Sequence, residues 1–332
     1  MTRRPVVLAL FLLLLAAGVA QAQDVRWTMA NEYPATSIQG EADARFAREV
    51  AERSGTRIQV TNQYDASSGF KSKEMVDAVA RKAVPLANAY MGALGEIDPV
   101  FLLPSLPFLA ATPEQAQVLA QIARPAYEQI LEKHNQKLLY LSPWPAAGLW
   151  ANLPVDNVQA LRGLRVRTAD ANGVAALKAA GATPVQISFT DAIPQLKAGQ
   201  LDAVLSSGDG GAGRLLMETL KHFTQIDYAV TMSMVTLNAD AWNALDDDLQ
   251  RAVLAAASIV EARQWDVLKT RVAANYKAMR DAGVTITTEL TPEYREALRK
   301  AGQGVVNDWG RAMGPTGAEI LATYRARLES AR

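Results

Sequence analysis

Few residues of this chain are of a type that does chemistry, and one of them stands out. Arg167 closes a short stretch, Leu164-Arg165-Val166-Arg167, that reads as a strand. A guanidinium at the carboxyl end of a strand presents a planar fork that matches a carboxylate, at the edge where α/β proteins bind ligands. The plainer reading pairs it with a neighbouring acid such as Asp170. Gly208-Asp209-Gly210-Gly211-Ala212-Gly213 matches Gly-x-Gly-x-x-Gly after a predicted strand. That pattern is either a dinucleotide loop or a sharp turn whose backbone amides approach a small anion. Against a nucleotide, the match lies deep within the chain rather than opening a βαβ unit. The two histidines, His134 and His222, lie far apart, and neither a Gly-x-Ser-x-Gly elbow nor a His-Glu-x-x-His run is present. Hydrolytic catalysis and metal binding therefore find little support, and no cofactor is expected.

The compartment follows from the first residues. Arg3 and Arg4, the apolar run Val6 to Ala17 and the small-x-small ending Ala20-Gln21-Ala22 have the layout of a secretory signal peptide, with cleavage after Ala22. The run is shorter than the roughly 20 residues that span a bilayer, so residues 1–22 are expected to be removed and the protein to reach the periplasm. Cysteine is absent from all 332 residues, which excludes disulfides, thiolate metal sites and a lipidated cysteine anchor. The 34 Lys and Arg balance 34 Asp and Glu, and loss of Arg3 and Arg4 leaves the mature chain two negative. Nucleic acid, which calls for a basic face, is not an expected partner.

The elements that position these residues alternate. Val25 to Ala30 reads as a strand, Gln39 to Arg53 as a helix, Arg57 to Asn62 as a strand and Met75 to Ala83 as a helix. The rhythm resumes with strands at Leu164 to Arg167, Pro184 to Ile187 and Leu201 to Leu205, and helices at Gly173 to Ala180 and Asp191 to Lys197, with Pro194 in the first turn of the latter. Two α/β units with ligand sites at their strand ends are expected. Phe101 to Leu109, broken by Pro104 and Pro107, reads as an irregular packed connection. Asp240 to Arg280 reads as a short helix and then a long one, enough to run along two domains.

Asn157 to Arg167, Gly181-Ala182-Thr183-Pro184-Val185 and Gly199-Gln200-Leu201-Asp202-Ala203 together resemble the solute receptors of tripartite ATP-independent periplasmic (TRAP) transporters. Ile97-Asp98-Pro99 through Leu109 resembles that family's apolar segment, and Leu237 to Leu245 its entry into the long helix. The resemblance implies a two-domain α/β flytrap that closes on an organic anion and hands it to the small and large membrane subunits of a permease. It places domain I at 23–146 plus about 233–272 and domain II at 147–232 plus about 273–332. It also implies that Arg167 pairs with the ligand carboxylate and that Phe189 lines the cleft. The chain departs from the family where many members carry an upstream arginine, here Pro145 to Trp150, and where many have asparagine, here Ser206. With Trp144 adding apolar surface, a small or apolar monocarboxylate is favoured over a sugar acid. Asn31, Glu32, Tyr33, Tyr64, Tyr90, Met91 and Asp209 complete the expected cleft residues. Two other readings are a nucleotide-dependent enzyme using the glycine loop and a receptor feeding a signalling protein.

Overall fold

The computed structural model describes residues 24–330; the signal peptide expectation lies outside them. Strand β1 (Val25–Asn31) leads into helix α1 (Ile38–Arg53), then β2 (Ile58–Gln63), α2 (Ser72–Ala80) and β3 (Leu86–Tyr90). The apolar connection that follows folds as two 3-10 turns, Met91–Leu94 and Pro99–Ser105, before α3 (Pro113–Lys133) and β4 (Gln136–Pro143). After a crossing come β5 (Gly148–Ala151), α4 (Val158–Leu161), β6 (Arg165–Thr168), α5 (Ala171–Ala179), β7 (Thr183–Gln186), α6 (Phe189–Lys197), β8 (Ala203–Ser206), α7 (Gly210–Met217) and β9 (His222–Thr224). The chain crosses back into β10 (Met232–Asn238), α8 (Ala239–Asn243) and α9 (Asp247–Asp281), and ends with β11 (Thr285–Thr287) and α10 (Pro292–Ser330).

Two sheets result. The first has strand order β2-β1-β3-β10-β4, parallel except for β10; the second has order β11-β9-β5-β8-β6-β7, with β5 antiparallel to both neighbours. The two crossings between the sheets bind each other. Trp144 N–H donates to the Thr231 carbonyl at 2.8 Å, Ala147 N–H to Ala229 at 3.1 Å, and Tyr228 N–H back to Ala147 at 2.9 Å. Helix α9, 35 residues and about 52 Å long, packs on α1 and β4 of the first half and on α7 and β11 of the second. Among the described residues no helix is long and apolar enough to cross a membrane.

Two elements differ from the sequence reading. Helix α6 starts at Phe189, capped by the Ser188 side chain on the Asp191 N–H, so Pro194 sits past the first turn. Its missing donor is tolerated because the helix is only 9 residues long and the cap holds its entry. Helix α10, broken at Gly314 where φ is 59°, packs against α3 as well as α5. It therefore lies across both halves rather than with the second sheet alone.

The first sheet is pinned to α1 by one buried carboxylate. Asp43 accepts hydrogen bonds from Asn31 (2.6 Å), Asn88 (2.7 Å) and Tyr140 (2.9 Å), on β1, β3 and β4. Burial pushes its pKa up to about 7, against the three donors that lower it. A carboxyl protonated more readily in the folded than in the unfolded state contributes stability that is full below about pH 4 and lost as pH rises through about 7. The melting temperature is thus expected to fall more between pH 5 and pH 8 in the wild type than in Asp43→Asn, measured by calorimetry in matched buffers.

Candidate ligand-binding cleft

Between the halves lies a cleft with a mouth of about 520 Å³ and an inner chamber of about 50 Å³. Tyr33, Tyr90, Arg167, Ala169 and Phe189 line both, so the two are one continuous space. Strand β6 brings Arg167 to its carboxyl end, where the side chain is only 3% exposed. The guanidinium donates through Nε to the Ile187 carbonyl at 2.8 Å, and its carbon stands 5.8 Å from the Phe189 ring centroid. That bond fixes the plane of the fork. No salt bridge to Arg167 exists among the described residues, so its outer nitrogens are left to face the chamber. The Tyr33 hydroxyl lies beside it.

Aromatic rings form the remaining walls. Tyr33 packs 4.7 Å from Trp144 and 5.6 Å from Phe189, centroid to centroid. Trp144 has its indole N–H committed to Ser233 at 3.0 Å, so it offers the chamber a face and no donor. Asp170, 3% exposed, also lines the chamber; it accepts from the Tyr90 hydroxyl (2.7 Å) and from the Gly173 N–H at the start of α5 (2.8 Å). Burial raises its pKa, against the Tyr90 and Gly173 hydrogen bonds, the Arg167 charge and the Ser105 hydroxyl. A carboxylate has about four acceptor sites, so Asp170 can take a further donor. The Tyr228 hydroxyl, which also lines the chamber, is buried without a partner among the described residues. Desolvation of such a group costs free energy unless an occupant bonds to it.

Of the residues expected from sequence, Arg167, Phe189, Tyr33, Tyr90, Trp144 and Ser206 line the inner chamber, and Glu32 lines the mouth. Glu32 is already committed: one oxygen accepts from the Ser72 N–H and the other from the Phe189 N–H, both at 2.9 Å, joining the first turns of α2 and α6 across the cleft. The salt bridge of Lys71 to Asp191, 2.7 Å, closes the mouth beside it. Four others do not line the cleft. Asn31 turns to Asp43, the Tyr64 hydroxyl donates to the Gly40 carbonyl, and Met91 is fully buried in the core. Asp209 lies in a seam between the halves, bonded to Arg271. Asp170, Tyr228 and Thr231 line the chamber and were missed. From sequence Asp170 reads only as a pairing acid for Arg167, not as a chamber residue; the crossing that carries Tyr228 and Thr231 has no periodicity to read.

The glycine motif does follow a strand and open a helix, β8 and α7, as a dinucleotide loop would. Its helix start, however, faces the first half of the protein. A Cβ on Gly211 would lie 2.7 Å from Thr36 Oγ1 and 2.8 Å from Pro34 Cβ, so the chain itself fills the place of a pyrophosphate. His134 caps the end of α3 and His222 opens β9.

Two sheets hinged by paired crossings, closed over a chamber with an unpaired arginine, define a solute-binding protein of the clamshell type. The chain belongs to the bacterial extracellular solute-binding protein family 7, DctP, whose family model matches residues 29–311. It is 25% identical over 86% of its length and 86% of the relative to the C4-dicarboxylate-binding periplasmic protein DctP of Rhodobacter capsulatus. Its structure is similar to that of DctP6 of Bordetella pertussis, an extracytoplasmic solute receptor binding pyroglutamic acid, at TM-score 0.86 and 26% identity, covering 91% of this chain and 100% of that one. It shares its fold with a TRAP periplasmic solute-binding protein of Chromohalobacter salexigens with bound D-glucuronate, at TM-score 0.81 and 20% identity, covering 90% and 99%.

Proposed function

We propose that this protein is a periplasmic TRAP receptor for a small monocarboxylic acid that also carries a hydrogen-bond donor, and that it delivers this acid to the membrane subunits of its transporter. Export would follow cleavage after Ala22, as the first 22 residues suggest. The observation that carries the reading is the pair of opposite charges, Arg167 and Asp170, which line one buried chamber without pairing with each other. A ligand carboxylate satisfies Arg167, and an N–H or O–H on the same small molecule satisfies Asp170. Tyr228, as donor or acceptor, completes the set. Pyroglutamate, the ligand of the Bordetella relative, has this arrangement on one five-membered ring. A C4-dicarboxylate, the ligand in the name of the Rhodobacter relative, brings a second carboxylate against Asp170.

Magnitudes support a shape-selected ligand. A charge-assisted hydrogen bond nets about 1.5 to 3 kcal/mol, whereas micromolar affinity needs about 8 kcal/mol. The rings of Tyr33, Trp144 and Phe189 must therefore contribute by burying the ligand's apolar part. A thermal-shift panel tests the reading: pyroglutamate at 100 times its dissociation constant stabilises by about 2.7 kcal/mol, and succinate and glucuronate at equal concentration do not. A panel in which succinate shifts the melting point most removes the proposal.

Closure should accompany binding, because Lys71 and Asp191, and Glu32 and Phe189, join across the cleft. Small-angle scattering is expected to give a smaller radius of gyration with saturating pyroglutamate than without. An unchanged radius speaks against clamshell capture.

A further inference from the structure

The glycine segment reaches the chamber only through Ala212; Asp209, Gly210 and Gly211 lie at the protein's closing seam, and their chemistry is specific. Asp209 stands at the position that opens α7, yet its side chain makes no bond to that helix. It accepts instead from the Ile38 N–H at the start of α1 (2.6 Å), from Nε and Nη2 of Arg271 (2.6 and 3.2 Å) and from Asn275 (2.7 Å). The carboxylate is fully buried. A negative charge at a helix start is favoured by the amide dipoles, and here the helix belongs to the opposite half. Arg271 also bonds Glu41 at 3.0 Å and the Thr36 carbonyl at 2.9 Å, and Arg214 of α7 donates to Thr36 Oγ1 at 2.6 Å. Arg271 and Asn275 sit on α9, the helix that runs along both halves. The glycines permit this approach: Gly210, with φ of 49°, comes against the Thr36 carbonyl, and Gly211 against Thr36 and Pro34.

We infer that Asp209, Gly210 and Gly211 form a latch that holds the closed form, setting ligand affinity without touching the ligand. Resting on the proposed capture of an acid by closure, the inference gives the motif a function of its own. A receptor whose binding-competent form is less populated binds more weakly in proportion. Asp209 and Arg271 are thus positioning residues for binding.

Gly211→Ala separates this role from folding. Gly211 lies inside α7 with no positive φ, so alanine favours the helix in the open form. The atoms nearest its methyl, on Thr36 and Pro34, belong to the opposite half, across the seam. Because the chain has no cysteine, spin labels at Asp77→Cys on α2 and Lys197→Cys on α6 report the distance between the halves. In wild type the short-distance population should rise with pyroglutamate. In Gly211→Ala and Asp209→Asn it should fall at least 10-fold, with dissociation of pyroglutamate faster by the same factor and association unchanged. The ligand-free melting temperature of Gly211→Ala should not drop. Should Asp209→Asn fail to fold, Gly211→Ala decides alone. Populations and dissociation rates within two-fold of wild type overturn the latch. So does a lower ligand-free melting point in Gly211→Ala, or a wild type with no short-distance population under any condition. Variants that lose that population while no acid raises it in the wild type leave the latch standing and remove the small-acid reading.

Discussion

Arg167→Ala is expected to weaken pyroglutamate binding by about 100-fold to several thousand-fold. The reason is burial. The side chain is 3% exposed, aimed by its bond to the Ile187 carbonyl, and free of any salt bridge among the described residues. Removing it leaves a ligand carboxylate desolvated without a counter-charge, a penalty of about 3 to 5 kcal/mol, which converts to the stated range. Arg167→Lys keeps the charge and loses the planar fork together with the Nε bond, so weaker binding is expected even there. Arg165, two residues earlier on β6, is the control. Its guanidinium is half exposed and bonded to Asp202 at 2.6 and 2.9 Å and to the Gly199 carbonyl, so Arg165→Ala should leave affinity within a few-fold of wild type. Titration calorimetry of the three variants, with folding checked by circular dichroism, reads the result; an Arg167→Ala protein that binds within a few-fold of wild type refutes the carboxylate pairing.

Asp170→Asn is expected to change which acids are accepted. The wild-type carboxylate repels a second ligand carboxylate, and like charges brought together at a desolvated interface cost several kcal/mol. It also strengthens a bond from a ligand N–H, since hydrogen bonds to charged groups net about 1.5 to 3 kcal/mol against about 1 for neutral ones. Asparagine removes the repulsion and weakens that bond. It retains an oxygen for the Gly173 N–H, so α5 keeps its cap. The ratio of pyroglutamate to succinate affinity should therefore fall by about 100-fold, read by competition calorimetry. A ratio unchanged within three-fold means that Asp170 does not face the ligand.

Much of this was decided by the chain's local patterns. The strand and helix rhythm gave two α/β units because alternation at period 2 and 3.6 is a local property of the residues. Arg167 was legible because a residue at the carboxyl end of a strand in such a unit has few places to point. Cysteine content and charge balance excluded whole classes of chemistry without reference to a fold. What only the tertiary structure decided concerns residues whose role depends on distant neighbours. Asn31 and Asp43 meet because β1 and α1 pack together, which turned an expected cleft residue into a structural one. Asp209 looked like an anion-loop residue; the approach of α1 from 171 positions away made it a seam contact. Tyr228 lies on a crossing segment whose direction is set by its partner crossing, not by its own periodicity, so its hydroxyl in the chamber, without a partner among the described residues, could be seen only once the two sheets were brought together.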